Sequence, residues 1–397
     1  MTAPARSRRR GEYRCAVLGL GALGSAAAYW LARASRGDVV GLEQFEMGHT
    51  RGASEDHSRI IRRSYHTPWY VALTASAYEA WGEVERAGCE QLVVRTGGLD
   101  LWPEGAAIPM GDYTASMRAC GVPFEELDAR EVMRRWPQWR LSEEVRAVFQ
   151  PDAGLCAASR CNAAHRRLAQ DEGAELRGRS PVTAIRAGGD EIELESATGR
   201  IRCETLVVAV DSWTNRVLGL LGERPLPLTI TKEQVVYLAA PDPAPFAPDR
   251  FPIWIWMDDP SFYGLPAFRE PGPKAAQDVG GSPTDPDRMD DAPDLAALDR
   301  VRRFTAERLP DAGTSILSVR TCRYTMPPDR DFVIDRLPDH PNVILLLGAA
   351  HGFKFASLFG KIAAQLALDG QSEHDLRHFS LGRPILQMEH PPTSFLV

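Results

Sequence analysis

Apolar residues along this chain recur at two spacings, and the switches between them mark out the elements. Residues 14–18 are small and β-branched, as in a buried strand, and residues 25–34, rich in Ala and Leu, predict a helix. Gly37-Asp38 marks a turn, and residues 39–42 form a second strand ending at Glu43. Strand, helix and strand in this order predict a βαβ unit with parallel strands. Over 58–88, Trp69, Tyr70, Leu73, Tyr78 and Trp81 recur at helical spacing. Residues 92–102 predict strands and 117–136 a helix. Pro151-Asp152-Ala153-Gly154 breaks the chain ahead of a helix over 161–172. A meander comes next, with strands at 182–186, 191–195, 198–203 and 205–210. The last is a continuous apolar run, as in a buried parallel strand. From 223 to 320 Pro is frequent, and Trp254, Trp256, Phe262, Tyr263 and Phe268 punctuate short strands. Residues 270–294, rich in Pro, Gly and Asp, predict a loop, and 295–309 a helix. Strands return at 316–324, 332–334 and 343–347, and a helix over 355–368 ends at Gly370. The two ends predict one α/β domain interrupted by material of a different character.

Composition narrows the class. The chain has 397 residues, 44% hydrophobic and 25% charged, enough for two domains or one large one, of ordinary globular composition. A net charge of -7 argues against a nucleic-acid partner, which would need a clustered basic surface. The basic run Arg6, Arg8, Arg9, Arg10 reads as a short disordered tail. Gly11, Glu12 and Arg14 leave no apolar run directly after it, so no signal peptide is expected. No stretch approaches the ~20 apolar residues that span a membrane. Seven scattered cysteines do not form a disulfide framework, which predicts reduced thiols in a cytoplasmic protein.

The sharpest local signal is Gly19-Leu20-Gly21-Ala22-Leu23-Gly24, between the first strand and the first helix. Gly19 permits a tight turn, Gly21 lets backbone approach a pyrophosphate, and Gly24 allows close helix–strand packing. The helix N-terminus then offers N–H groups and a positive dipole end to phosphates. Glu43, 19 residues beyond Gly24, is suited to accept from a ribose hydroxyl. The motif by itself does not separate FAD from NAD.

Four further segments carry a resemblance. The first is His49-Thr50-Arg51-Gly52-Ala53-Ser54-Glu55-Asp56-His57-Ser58-Arg59-Ile60-Ile61-Arg62. The second is Phe262-Tyr263-Gly264-Leu265-Pro266-Ala267-Phe268 ahead of Lys274. The third is Thr321-Cys322-Arg323-Tyr324-Thr325 ahead of Pro328-Asp329-Arg330-Asp331-Phe332. The fourth is Gly348-Ala349-Ala350-His351-Gly352-Phe353-Lys354-Phe355. In this order, over about 13–385, they resemble the monomeric sarcosine oxidase and N-methyltryptophan oxidase family of FAD-dependent amino acid oxidases.

The resemblance implies an α/β, two-domain flavoprotein. A Rossmann-like FAD-binding domain would be built from 11–88, 150–222 and 323–397. A substrate domain with a mixed, largely antiparallel sheet would come from 89–149 and 223–322, with the pocket between the two. It implies FAD tethered as a thioether through Cys322. Gly19, Gly21, Gly24, Glu43, Ser58, Arg59, Gly348, His351, Gly352 and Lys354 would bind the cofactor. Arg62 and Lys354 would take the substrate carboxylate, as paired cations can. Arg59 would lie beside the flavin ring, and Lys274 would promote reaction with oxygen by stabilising superoxide as it forms. Tyr263 and Tyr324 would line the pocket. Glu55 and Asp278 stand where sarcosine oxidases carry histidine, and Asp211-Ser212-Trp213 replaces a Gly-Ala-Trp turn. The two acids are expected to make the pocket acidic and to disfavour sarcosine itself.

The activity so implied is an enzyme, an FAD-dependent amine oxidoreductase. It would oxidise the C–N bond of a secondary amino acid, N-methyl or cyclic, to an imine and reduce O2 to H2O2. Its partners would be a small amino acid or amine and O2, acting on a monomer with no membrane and no nucleic acid. A flavin dehydrogenase, or a tailoring oxidase of a larger amino-acid-derived intermediate, is the alternative. An NAD-dependent dehydrogenase would leave the C-terminal motifs idle, as would a non-catalytic scaffold. No metal-ligand spacing of Cys or His is evident.

Overall fold

A computed structural model describes residues 11–393 apart from Met289. The basic run Arg6 to Arg10 lies outside the described residues. The chain divides into two compact units, each assembled from separated segments. Unit 1 comprises the chain up to Glu55, Asn162–Leu228 and Thr325–Thr393. Unit 2 comprises Asp56–Cys161 and Thr229–Tyr324. Residues 56–88 and 150–161, expected with the nucleotide-binding segments, thus belong to unit 2. The cause is strand pairing: Arg59–Ile61 and Val93–Arg95 both pair antiparallel with Gly154–Cys156, which ties all three into one small sheet.

Unit 1 is built on an eight-stranded sheet. Strand β1 (Glu12–Leu18) leads through the Gly-rich turn into helix α1 (Ala22–Ser35), and β2 (Val39–Leu42) returns parallel to β1. On its other side β1 pairs in parallel with Gly199–Val208. The end of that strand pairs in parallel with Val343–Leu347. The parallel strands β2, Val343–Leu347 and the last part of Gly199–Val208 are wholly buried, which is why they read as unbroken apolar runs. The strands expected at 198–203 and 205–210 are one strand; its first half completes an antiparallel meander, and its second half enters the core. The helix Ala356–Asp369 closes the unit and ends at Gly370 in the left-handed region.

Unit 2 carries a nine-stranded mixed sheet. One pair is parallel, Ile253–Trp256 against Gly98–Trp102, and its neighbours are antiparallel. Its core is aromatic: Trp254 packs edge-on to Trp139 at 5.3 Å, and Phe304 stacks on Phe262 at 4.3 Å.

Three local expectations change. The helix expected over 58–88 is the strand Arg59–Ile61 followed by a helix Pro68–Gly88, started where Pro fits the first turn. The helix expected over 117–136 is two helices, Met110–Ala119 and Ala129–Arg135, around a strand Glu125–Asp128. Gly121, at φ 65°, and Pro123 end the first one. The loop expected over 270–294 contains the strand Lys274–Asp278, inserted between two sheet neighbours.

Candidate active site

Unit 1 gathers its candidate residues at the carboxyl ends of parallel strands, where open α/β sheets bind ligands. After β1, Gly19 takes φ 86°, and a side chain there would strike the Ala209 carbonyl oxygen at 2.5 Å. A Cβ on Gly24 would lie 1.8 Å from the Gly19 oxygen, so α1 can approach the turn only with glycine here. The first turn of α1 contains no acid, and Gly21 caps it without a side chain. Ser54 Oγ accepts from Ala22 N–H at 2.9 Å and a Cβ on Gly21 would reach it at 2.8 Å. Such a glycine cradle at a helix's positive end fits a pyrophosphate.

At the end of β2, Glu43 is buried. It accepts from Leu20 N–H (2.9 Å) and Phe45 N–H (3.1 Å), and His49 Nε2 lies 3.3 Å away. Burial alone would raise its carboxyl; the His49 ring and the two amides outweigh burial and hold it below the usual range. After Val343–Leu347, Gly348 O accepts from His351 N–H (3.0 Å) and Gly352 N–H (2.7 Å), while Ala349 and Ala350 both take positive φ. His351 packs against Phe332 with ring centroids 4.4 Å apart and planes tilted by 32°, its Nε2 2.9 Å from Arg330 O. Lys354 is 8% exposed and donates to His351 O at 3.0 Å. Glu55 is held by Asn162 Nδ2 (3.1 Å) and Arg166 (3.4 Å), beside the Leu20 carbonyl. Its charge is thus already matched by an arginine, and it lies in the other unit from Asp278.

Unit 2 gathers Arg59 and Lys274 around one carboxylate that sequence reasoning missed. Asp56 is buried and accepts from Lys274 Nζ (2.5 Å), Arg59 (2.7 Å), the Tyr237 hydroxyl (2.6 Å) and its neighbour's amide at His57 (2.7 Å). Burial works against its charge, but Lys274 and Arg59 hold its carboxyl far below the usual range. Lys274, 2% exposed, also donates to Ser58 O at 2.8 Å. Burial pushes its ammonium down to about 8, and Asp56 resists. Arg59, against burial, is held above its ordinary value by Asp56, and it also feels Cys322, Tyr263 and Tyr324. Burial pushes the Cys322 thiol up to about 11, with Arg59 opposing. Tyr263 and Tyr324 interact electrostatically, and burial raises both phenols. Asp278 interacts electrostatically with Arg62, Tyr263 and Tyr324.

Arg62 is 6% exposed, and its NH1 lies 3.3 Å from both oxygens of Asp100. Ser64 donates to the same Asp100 at 2.5 Å. Burial pushes the Asp100 carboxyl up, against the pull of Arg62 and Ser64. Asp100 had a legible signal, a lone acid in the wholly buried strand Gly98–Trp102. Asp56 had none, because Lys274 lies 218 residues away. Arg62, Lys274 and Lys354 are all buried, so none is a solvated surface charge.

Among the described residues no group of three or more His, Cys, Asp and Glu side chains is placed to hold a metal ion. No described helix is long and apolar enough to cross a membrane.

Comparison with known proteins agrees with this chemistry. Residues 14–366 match the family described as FAD dependent oxidoreductase (DAO). The chain is 35% identical to monomeric sarcosine oxidase of Streptomyces avermitilis, over 92% of this chain and 96% of that protein. It is 30% identical to N-methyl-L-tryptophan oxidase of Escherichia coli, over 94% and 99%. The solved structure of NikD, an unusual amino acid oxidase essential for nikkomycin biosynthesis, superposes with a TM-score of 0.83 at 26% identity, over 96% of this chain and 100% of that one. A glycine oxidase from Geobacillus kaustophilus shares the fold with a TM-score of 0.79 at 19% identity. The chain belongs to the FAD-dependent amino acid oxidoreductases, in the family of monomeric sarcosine oxidase and N-methyl-L-tryptophan oxidase.

Proposed function

We propose that this enzyme oxidises the C–N bond of a secondary amino acid, N-methyl or cyclic, to an imine and passes the electrons to O2 as H2O2. The observation that carries the oxidase reading is Lys274, a lysine locked 2.5 Å from Asp56 in the unit 2 interior rather than free in a loop. Bound FAD supplies the two-electron redox chemistry; the chain binds, orients and polarises. In unit 1 the glycine cradle, Glu43 and the Gly348–Gly352 turn are assigned to the cofactor. In unit 2, Ser58 and Arg59 are assigned to the cofactor and Cys322 to a covalent thioether with it. Arg59, which opposes the burial that raises the Cys322 thiol, supports that assignment. Lys274 supplies the fixed positive charge that stabilises superoxide. Tyr263 and Tyr324 are assigned to the pocket wall, and Arg62 and Lys354 to the substrate carboxylate. Arg62 would share its guanidinium between that carboxylate and Asp100. The enzyme is further read as a cytoplasmic monomer acting on small molecules. Supporting this are its seven free cysteines and the word monomeric in its relatives' names.

A second reading, oxidation of a larger amino-acid-derived intermediate, is favoured by the likeness to NikD and by the two acids, Asp100 and Asp278, that interact with Arg62. One experiment separates the readings. The purified yellow protein is mixed without oxygen with secondary, cyclic and primary amino acids. Bleaching by a secondary amino acid, reversed by air with peroxide released, is the expected outcome. Bleaching that air does not reverse would overturn the oxidase assignment. A protein bleached by no panel member would favour the larger substrate.

A further inference from the structure

Asp56 does more than fill its cavity. Four donors converge on it from three different parts of unit 2: Lys274 Nζ, Arg59 NH1, the Tyr237 hydroxyl and the His57 amide. Arg320 NH1 closes the group at 3.5 Å. Arg320 NH2 reaches outward to His57 Nε2 (2.7 Å) and Glu270 (3.1 Å). Three cations therefore share one buried carboxylate, and one of them is the cation assigned to oxygen.

We propose that Asp56 is a positioning residue for the oxygen step: it fixes the Lys274 ammonium in place and keeps it protonated at working pH. This rests on the reading of Lys274 as the oxygen-facing charge. Superoxide formation needs a positive charge that does not move, and a neutral amine supplies none. The groups that face Lys274 argue against an unaided ammonium. Arg59 on Arg59–Ile61 repels it, and burial disfavours it. Cys322, on the strand Ile316–Met326, is a weak counterweight because its thiol is protonated at neutral pH. Tyr237, on Thr229–Leu238, offers only its ring, 5.8 Å from Nζ. Arg320 is a further positive charge on the same cluster. Asp56 is the one carboxylate that contacts Lys274 among its described hydrogen bonds and ion pairs.

The test uses a favourable count: the chain has four lysines, Lys232, Lys274, Lys354 and Lys361. Holoenzyme carrying 13Cε-labelled lysine gives four signals whose titrations are followed by NMR, with K274M assigning the relevant one. In D56N the Lys274 midpoint is expected to fall by about 1–3 pH units, the usual effect of losing an opposite charge at this range. Stopped-flow reoxidation of the reduced enzyme by O2 is expected to slow about 10-fold or more at pH 8.5, with the deficit shrinking toward pH 6 as the amine regains its proton. A packing role alone would not move the midpoint. If D56N does not accumulate as folded protein, D56S is read in the same way. A Lys274 midpoint unchanged in both variants overturns the proposal even if activity is lost. A K274M enzyme that reoxidises as fast as the unaltered one overturns instead the assignment of Lys274 to oxygen, and leaves Asp56 no step to serve.

Discussion

At the scale of single residues, the buried cations set the testable chemistry. Replacing Lys274 with Met is expected to slow reoxidation by O2 by about 10²–10³-fold, as removal of one preorganised charge stabiliser does. Single-turnover reduction by substrate should change far less, and stopped-flow spectroscopy separates the two. Stability carries a pH signature from the same pair. The folded value of Lys274, about 8, lies below the ordinary 10.5, so folding disfavours its ammonium. That cost is present below pH 8 and is relieved as pH rises toward 10.5. Asp56 acts in the opposite sense. Its depressed carboxyl contributes stability above the ordinary 3.8 that is lost as pH falls through and below that value. Asp56→Asn should therefore cost about 3–5 kcal/mol at pH 7, the penalty for breaking a buried pair, and should flatten the acid limb of the stability curve. Denaturant unfolding from pH 3 to 8 checks both. Cys322→Ser should leave FAD extractable by acid precipitation, whereas the unaltered enzyme should keep it in the pellet. Yellow supernatant from both would reject the tether.

Elements show how much could be read beforehand. The βαβ unit was legible because three signals coincide: an apolar strand, glycines at fixed offsets, and an acid at the next strand end. At two places where a neighbouring strand defines the element, the pattern failed. Arg59–Ile61 is only three residues long and is a strand because Gly154–Cys156 lies beside it. Lys274–Asp278 sits in a Pro-, Gly- and Asp-rich stretch whose composition says loop, yet it fills a gap between two sheet neighbours. The chemistry divided along the same line. Motifs point to single residues, whereas the places of Asp56, though inside a quoted segment, and of Tyr237 are defined by contacts across the chain. Packing between elements is equally specific. A Cβ on Gly360 would meet the Ala26 carbonyl carbon at 2.4 Å, so helix Ala356–Asp369 rests directly on α1. Gly24→Ala and Gly360→Ala should each cost about 1–3 kcal/mol, as overpacked cores do. Gly24→Ala should also lower the FAD content of purified protein. Thermal unfolding and the flavin-to-protein absorbance ratio check both.

The whole molecule is two units threaded by one chain that passes between them at residues 55/56, 161/162, 228/229 and 324/325. Sequence reading anticipated a discontinuous architecture because an α/β pattern opens and closes the chain. The crossing points were hidden, since 161/162 falls within the helix Ala158–Asp171 and 324/325 within the strand Ile316–Met326, with no linker to mark them. A fragment ending at residue 228 should not fold as unit 1, because it lacks Val343–Leu347 and Ala356–Asp369. Rapid proteolysis and weak circular dichroism are the expected readouts, and a protease-resistant fragment would contradict the assembly described here.

The pairing of β1 with Gly199–Val208 also bears on how the protein is made. Its partner leaves the ribosome about 10–40 s after β1 at typical elongation rates. Throughout that interval an apolar strand and an Ala-rich helix wait without the surface that buries them. Val343–Leu347, which completes the parallel layer, emerges later still. Yield in a foreign host should therefore depend on chaperone capacity and growth temperature more than on the final stability of the enzyme.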